Sequence, residues 1–124
     1  MKIGLDYWHV CSDHPGYFAA LSRAHLWAGD EVHVISAIGR SRSGTILAEV
    51  HSLAIPYTAV HEVVFMHPRE SPRLKLAKCL ELGITVYYDD RDDVCRLLAG
   101  RGILALRVTR EEAAGDVAAE RDGD

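Results

Sequence analysis

Aspartates follow two apolar segments of this chain, at the points where each segment would leave a β-strand. Asp6 ends the start KIGLD, and Asp89 and Asp90 end the run ITVYYDD. The carboxyl ends of parallel strands share one edge of a sheet, so these carboxylates are expected to meet there. Converging carboxylates raise each other's pKa, and a hard divalent ion with oxygen ligands relieves the repulsion. The sequence therefore predicts a Mg²⁺ site at this edge.

A hydroxyl and an amine accompany the predicted acidic site. Ser36 follows the apolar run VHVI, and Lys75 lies in the segment SPRLKLAKCL that precedes Asp89. If both faced the same pocket, they would stabilise the oxygens of a phosphoryl group during its transfer. The pattern indicates a site for a phosphorylated ligand. The competing interpretation is structural, since aspartates at strand ends are common as turn formers and helix caps.

The elements that must position these residues are short β-rich runs alternating with amphipathic segments, which is the pattern of βα units around a parallel sheet. The strands are rich in Val, Ile, Leu and Tyr, which predicts burial on both faces. They are expected at residues 2–6, 31–37, 58–65, 84–88 and 103–108. Helices are expected at residues 15–29, 43–53, 71–83 and 92–99.

Length and composition favour one α/β domain with three layers, α/β/α, around a five-stranded parallel sheet. The 124 residues, 48% of them hydrophobic, suffice for one core and not for two. We assign this domain to residues 1–109. Residues 110–124 are acidic and poor in large apolar groups, and they are predicted to form a disordered tail.

Charge and cysteine usage exclude several classes of protein. The net charge of −4 argues against a broad nucleic-acid-binding surface, because it would repel phosphates. The three cysteines are widely spaced and form no zinc-ligand pattern, which indicates reduced thiols. Asp6 interrupts the first apolar run, and no later run has the length of a membrane span. We therefore expect a cytoplasmic protein that has no membrane partner.

From residue 2 to about residue 108, the order of these motifs resembles the haloacid dehalogenase superfamily of hydrolases. KIGLDYWHV is similar to the family's first motif, which places Asp6 in the position of the nucleophile. VHVISA is similar to the second motif and places Ser36 at the phosphate. In SPRLKLAKCLELGI, Lys75 fits the lysine of the third motif best by spacing, and Lys78 is the reserve.

The last motif of the resemblance is ITVYYDDRDDV, which supplies Asp89 and Asp90 as metal ligands, with Asp93 also within reach. DDR and the segment that follows it particularly resemble the phosphatase domains of polynucleotide kinases and small phage-type members of the superfamily. The resemblance implies a Rossmann-like fold, Mg²⁺ as cofactor, and catalysis by Asp6 and Lys75. The unassigned connection at residues 66–70 is short for a cap domain, so a capless member is expected.

The chain departs from the family pattern directly after the nucleophile. Family phosphatases carry a second Asp at position 8, where it serves as general acid and base, and this chain has Trp8. The resemblance thus places Trp8 at a catalytic and metal-binding position without the usual carboxyl group. His9 replaces the usual Gly and is assigned to phosphate binding. His9 or His14 is the alternative proton donor, because histidine titrates near neutrality.

Three functions follow as hypotheses. The leading one is a Mg²⁺-dependent hydrolase, of phosphatase or nucleotidase type, in which Asp6 attacks a phosphorylated small molecule, a nucleotide or a nucleic-acid phosphate end. Without a cap the site is open, which in this family accompanies large substrates or a homo-oligomer. The alternative is a binding module that lost catalysis, as Trp8 suggests. A receiver or flavodoxin-like domain is disfavoured, because the acidic pair of a receiver follows its first strand.

Overall fold

The computed structural model of the chain describes residues 1–110 and contains five strands and four helices of more than one turn. The strands are β1 (Lys2–Leu5), β2 (Glu31–Gly39), β3 (Ala59–Phe65), β4 (Val86–Asp89) and β5 (Leu104–Arg107). The helices are α1 (Pro15–Trp27), α2 (Ile46–Ser52), α3 (Ser71–Leu82) and α4 (Asp92–Ala99). Shorter helical turns lie at Arg40–Arg42 and Pro68–Glu70, and Tyr7–Cys11 forms a turn in which Trp8 and His9 have non-helical backbone angles.

All five strands pair in parallel, in the order β3-β2-β1-β4-β5. The chain builds outward from β1 to β3 and then returns to the other side of β1 with β4. The order of the strands therefore reverses between β1 and β4, where open α/β sheets form a crevice outside the carboxyl ends of the strands. Asp6 follows β1 and Asp89 ends β4, so both lie at this crevice.

Helices cover both faces of the sheet, which confirms the predicted three-layer α/β fold. On one face, Phe18 of α1 and Val50 of α2 pack against Leu5 and Val34. On the other face, Leu76 of α3 and Leu98 of α4 belong to a second apolar cluster. Among residues 1–110, no helix is both long enough and apolar enough to cross a membrane.

Tyr87 fixes the spacing of the central strands. It pairs with Gly4 in the register of β1 and β4, and a Cβ atom on Gly4 would lie 2.4 Å from Cδ1 of the Tyr87 ring. The ring is fully buried, and its hydroxyl donates a hydrogen bond of 3.0 Å to the carbonyl of Ile35 in β2. Gly4 is thus required because only a residue without a side chain lets the ring cross β1.

The expectation that all strands are buried on both faces is wrong for the two edge strands. In β5, Leu104 and Leu106 remain 57% and 36% exposed, whereas Ala105 between them packs into the core shared with α3 and α4. Val64 of β3 is 42% exposed. The apolar composition of these strands reflects one covered face each, and side chains on the opposite face stay in contact with water.

The other predicted element bounds agree with the structure within two residues, except for the start of α2, which begins at Ile46 and not at residue 43. Gly44 adopts a left-handed conformation, with φ of +94°, so the helix cannot include it. Of the predicted tail, only Arg110 belongs to the described part of the chain; residues 111–124 lie outside it.

Glu62 of β3 caps the start of α2. Its carboxylate accepts hydrogen bonds from the N–H groups of Gly44 at 2.7 Å and Ile46 at 3.1 Å, and from the hydroxyl of Ser43 at 3.3 Å. Partial burial acts to raise the pKa of Glu62, but the backbone and hydroxyl donors outweigh it and the pKa is lowered. A negative charge at a helix N-terminus is also favoured by the helix dipole.

We therefore predict that Glu62→Gln lowers the free energy of unfolding by about 1 kcal/mol at pH 7, as loss of a charged cap does. In the folded protein the pKa of Glu62 lies below its ordinary value of 4.5. The contribution of Glu62 to stability is therefore present above pH 4.5, and it is lost as the pH falls through the folded-state pKa. Urea titrations should show the difference from the wild type shrinking in acid. Glu81→Gln, at a surface ion pair, is the control; equal effects of the two variants would contradict the prediction.

Candidate functional site

The backbone at the ends of β1 and β4 brings Asp6 and Asp89 side by side. The N–H of Asp6 donates a hydrogen bond of 3.0 Å to the carbonyl of Tyr88, which extends the pairing of the two strands past the end of β1. Each carboxylate is also oriented locally. The Asp6 carboxylate accepts from the N–H of Tyr7 at 2.8 Å, and the Asp89 carboxylate accepts from the N–H of Arg91 at 2.9 Å.

Lys75 reaches the same place from α3. Its Nζ lies 2.6 Å from Oδ2 of Asp89 and 3.2 Å from Oδ1 of Asp6, and none of the three side chains is more than 2% exposed. Burial raises the pKa of Asp89, and the ammonium group of Lys75 opposes that rise. Buried charges persist only where each is paired, so the three groups depend on one another.

Asp90 completes an acidic cluster. Its Oδ2 lies 2.6 Å from Nε of Arg110, while its Oδ1 is buried and has no hydrogen-bond partner within residues 1–110. One carboxylate oxygen from each of Asp6, Asp89 and Asp90 lies within 4.8 Å of the other two. A buried carboxylate oxygen without a partner is costly, and a bound cation would satisfy it.

These residues fit a hard divalent cation. Carboxylate oxygens are the ligands that Mg²⁺ prefers, and it is commonly bound by one or two carboxylates together with water and phosphate oxygens. The cluster supplies up to three such oxygens, in addition to the amine of Lys75 for an anionic substrate. Trp8 adds no ligand from its side chain, because the indole N–H is a donor only.

The two alternative site residues predicted from the sequence, Asp93 and Lys78, lie outside the acidic cluster. Asp93 forms a bidentate pair with Arg91 at 3.1 and 2.7 Å and accepts from the N–H of Val94 at the start of α4. Lys78 lies on the surface of α3, where it pairs with Glu81 at 3.2 Å. Of the two candidate lysines, Lys75 is thus the one that contacts the carboxylates.

Ser36 and Trp8 lie in β2 and in the turn after Asp6, respectively. Ser36 is buried in β2, and its hydroxyl has no partner in the described part of the chain. Trp8 packs edge-on against Tyr7, with ring centroids 4.8 Å apart, and the guanidinium of Arg42 lies 5.1 Å from its ring centroid. The indole therefore has a structural explanation.

His9 adopts a left-handed conformation, with φ of 65°, which is uncommon for residues other than glycine. Its N–H donates to the hydroxyl of Ser12 at 2.9 Å, and its ring Nδ1 lies 3.6 Å from Oδ2 of Asp13. Such local conformations are retained where the surrounding structure compensates for them, often at functional sites. In this chain the left-handed conformation of His9 belongs to the turn that directly follows Asp6.

The cysteines offer no nucleophile. All three are buried and free of disulfides. Burial raises the pKa of Cys11 above its ordinary value, and it raises the pKa of Cys79 to about 12 and that of Cys95 to about 11. A protonated thiol is a poor nucleophile, so these side chains pack as small apolar groups.

Sequence reasoning missed Arg110, which pairs with Asp90, because residue 110 falls in the predicted tail and its contact depends on the path of the chain after β5. It also did not single out Ser71 in α3. Ser71 is fully buried, its hydroxyl has no partner within the described residues, and it precedes Lys75 by one helical turn. The spacing of four residues puts Ser71 and Lys75 on one face of α3, a signal that was available in the sequence.

No protein-family model and no curated protein matches the sequence. Solved structures do match. A chain in the structure of the Pnkp1/Rnl/Hen1 complex superposes with a TM-score of 0.69 at 13% identity, over 90% of this chain and 47% of that chain. The fold is Rossmann-like. A chain in the structure of the Pnkp1/Rnl/Hen1 RNA repair complex gives 0.63 at 16% identity, over 88% of this chain and 42% of that one. This chain thus spans less than half of each.

We predict that Lys75→Met lowers the free energy of unfolding by about 3 kcal/mol, because it leaves two buried carboxylates without their cation. Mg²⁺ in the buffer should restore part of the loss by taking over the neutralisation. Denaturant titrations with and without Mg²⁺ measure both effects. Lys78→Met, on the surface of the same helix, should cost less than about 1 kcal/mol. Similar losses in the two variants would contradict the arrangement.

Proposed function

We propose that the chain is a Mg²⁺-dependent hydrolase of the haloacid dehalogenase type that acts on phosphorylated substrates through Asp6. The observation that supports this most is the position of Lys75 between Asp6 and Asp89, at the crevice where the strand order reverses. The acidic cluster completed by Asp90 fits the metal that this chemistry needs. The order of the motifs along the chain supports the same assignment.

In the proposed reaction, a carboxylate oxygen of Asp6 attacks the phosphorus atom, and the bond from phosphorus to the leaving oxygen breaks. The leaving oxygen takes a proton. Water then attacks the phosphorus of the aspartyl phosphate, so that phosphate is released and the carboxylate is regenerated. Lys75 and the N–H of Tyr7 keep the Asp6 carboxylate oriented for attack. Mg²⁺ held by Asp6, Asp89 and Asp90 would neutralise charge on the phosphoryl oxygens.

Proton transfer needs a donor other than residue 8, because the indole of Trp8 does not ionise. His9 lies in the turn directly after Asp6, and Oδ2 of Asp13 is 3.6 Å from its Nδ1, close enough to orient the ring. His14 at the start of α1 is the alternative. We assign the role of proton donor to His9 because it lies in the turn after Asp6 and because Asp13 is close to its ring.

The substrate class is a phosphorylated small molecule, a nucleotide or a nucleic-acid phosphate end. The similar solved chains belong to an RNA repair complex, which is consistent with the last two. No cap element is inserted between the described strands and helices of residues 1–110, which is consistent with a substrate larger than a small molecule.

The activity itself is tested with purified chain, Mg²⁺ and two kinds of substrate, nucleotides and p-nitrophenyl phosphate. We expect phosphate release that stops when EDTA removes the metal. Asp6→Asn should lower turnover by at least about 100-fold, since it removes the nucleophile. Asp93→Asn, which lies outside the acidic cluster, should leave turnover unchanged. Turnover that survives in Asp6→Asn would refute the mechanism.

A second candidate is a module that binds metal and phosphate but does not hydrolyse, and Trp8 is the observation that favours it. We predict that Trp8→Asp raises kcat, by about 100-fold or more if the new carboxyl acts as general acid and base. Steady-state kinetics across pH measure the change. If kcat is already high in the wild type and Trp8→Asp lowers it, proton transfer runs through other residues such as His9, and the module hypothesis is wrong.

A further inference from the structure

A groove of about 460 Å³ opens on the face of the sheet that α1 covers, between the start of α1 and the ends of β4 and β5. We call it the aromatic groove. Its lining includes three aromatic rings, an aliphatic side chain and two nitrogen-bearing side chains, with Val108 and Thr109 beside them. These residues are Tyr17, Phe18 and Tyr88, then Leu106, then His14 and Arg107.

The aromatic groove adjoins the acidic cluster through the backbone. Tyr88 immediately precedes Asp89, and its carbonyl accepts the hydrogen bond from the N–H of Asp6. At the end of β5, Nε of Arg107 donates a hydrogen bond of 3.2 Å to the carbonyl of Asp90. The groove and the acidic cluster therefore share the ends of β4 and β5, and a ligand in the groove lies beside the strand end that carries Asp89 and Asp90.

The rings form a preorganised wall. Tyr17 and Phe18 meet edge to face with centroids 5.0 Å apart, and Phe18 meets Tyr88 in the same way at 5.4 Å. Phe18 belongs to the core, but Tyr17 is 60% exposed and Leu106 is 36% exposed. The exposed part of this wall contributes little to folding, because its apolar surface stays in water. It is available to a ligand without any rearrangement of the core.

We infer that the aromatic groove binds the nucleobase of a nucleotide whose phosphate group reaches Asp6. Every nucleobase has a planar π-face that stacks on aromatic side chains, whereas a sugar phosphate has none. The groove volume is in the range of small-molecule sites, and Arg107 can add a charged or stacking contact at the rim. The inference rests on the proposed function for the position of the phosphate group at Asp6. It adds a binding site for the base.

Two other occupants are less suitable. The sequence 111–124, EEAAGDVAAERDGD, contains no aromatic side chain and one valine as its largest apolar group, so it offers little to a wall of rings. A second copy of the chain would cover the same exposed residues, and the experiment below separates it from a nucleobase.

The test uses nucleosides, which carry no phosphate, so that base binding is measured independently of phosphoryl transfer. Adenosine and uridine are titrated into the full chain and followed by chemical-shift changes, with ribose as the matched probe. We expect both nucleosides to bind and ribose not to bind. Tyr17→Ala should weaken nucleoside binding by about tenfold, as loss of one stacking ring does. Trp27→Ala is the control, because Trp27 ends the same helix, is 93% exposed and lies outside the groove.

Equal affinity for ribose and nucleosides, or equal losses in Tyr17→Ala and Trp27→Ala, would overturn the inference. So would a wild-type dimer that Tyr17→Ala converts to a monomer in sedimentation experiments, because the groove would then be an interface between copies. Different outcomes refute the proposed function and the base site. Nucleoside binding without any turnover that depends on Asp6 refutes the hydrolase and leaves the base site standing. Turnover of p-nitrophenyl phosphate that depends on Asp6, without nucleoside binding, refutes the base site alone.

Discussion

The ammonium group of Lys75 lies between two carboxylates that have almost no access to water, 2.6 Å from Asp89 and 3.2 Å from Asp6. Each charge would be strongly unfavourable alone, and together they are tolerated because opposite charges are in contact. This contact requires β1, β4 and α3 to hold fixed positions. The parallel pairing of β1 with β4 sets the separation of the carboxylates, and the packing of α3 on the sheet sets the reach of the lysine.

The core beneath the ions supports that geometry. The ring of Tyr87 crosses Gly4, and its hydroxyl binds the carbonyl of Ile35, so one side chain links the three central strands directly below the crevice. Leu76, one residue after Lys75, packs into the same apolar cluster as Tyr87. The packing that stabilises the fold is therefore the packing that positions the charges. A substitution that alters this packing therefore affects both the stability of the fold and the positions of the charges.

Local patterns predicted most of the fold, because hydrophobic periodicity and glycine or proline signals are properties of neighbouring residues. They also predicted that Asp6 and Asp89 meet, since parallel strands share an edge. Contacts between distant side chains were not predictable. Glu62 of β3 caps the start of α2 by accepting hydrogen bonds from the N–H groups of Gly44 and Ile46. Arg110 pairs with Asp90 only because of the path that the chain takes after β5.

The charges of the site show how binding could be separated from hydrolysis under the proposed function. When all groups are ionised, the three carboxylates of the acidic cluster face two cations, Lys75 and Arg110, which leaves one net negative charge among these five groups. A divalent ion would reverse that sign and so favour an anionic phosphate. A carboxylate at position 8 would add a further negative charge as well as a proton donor. Trp8 supplies neither, so under the proposed function the charges that favour metal and phosphate would remain while proton transfer would require other residues.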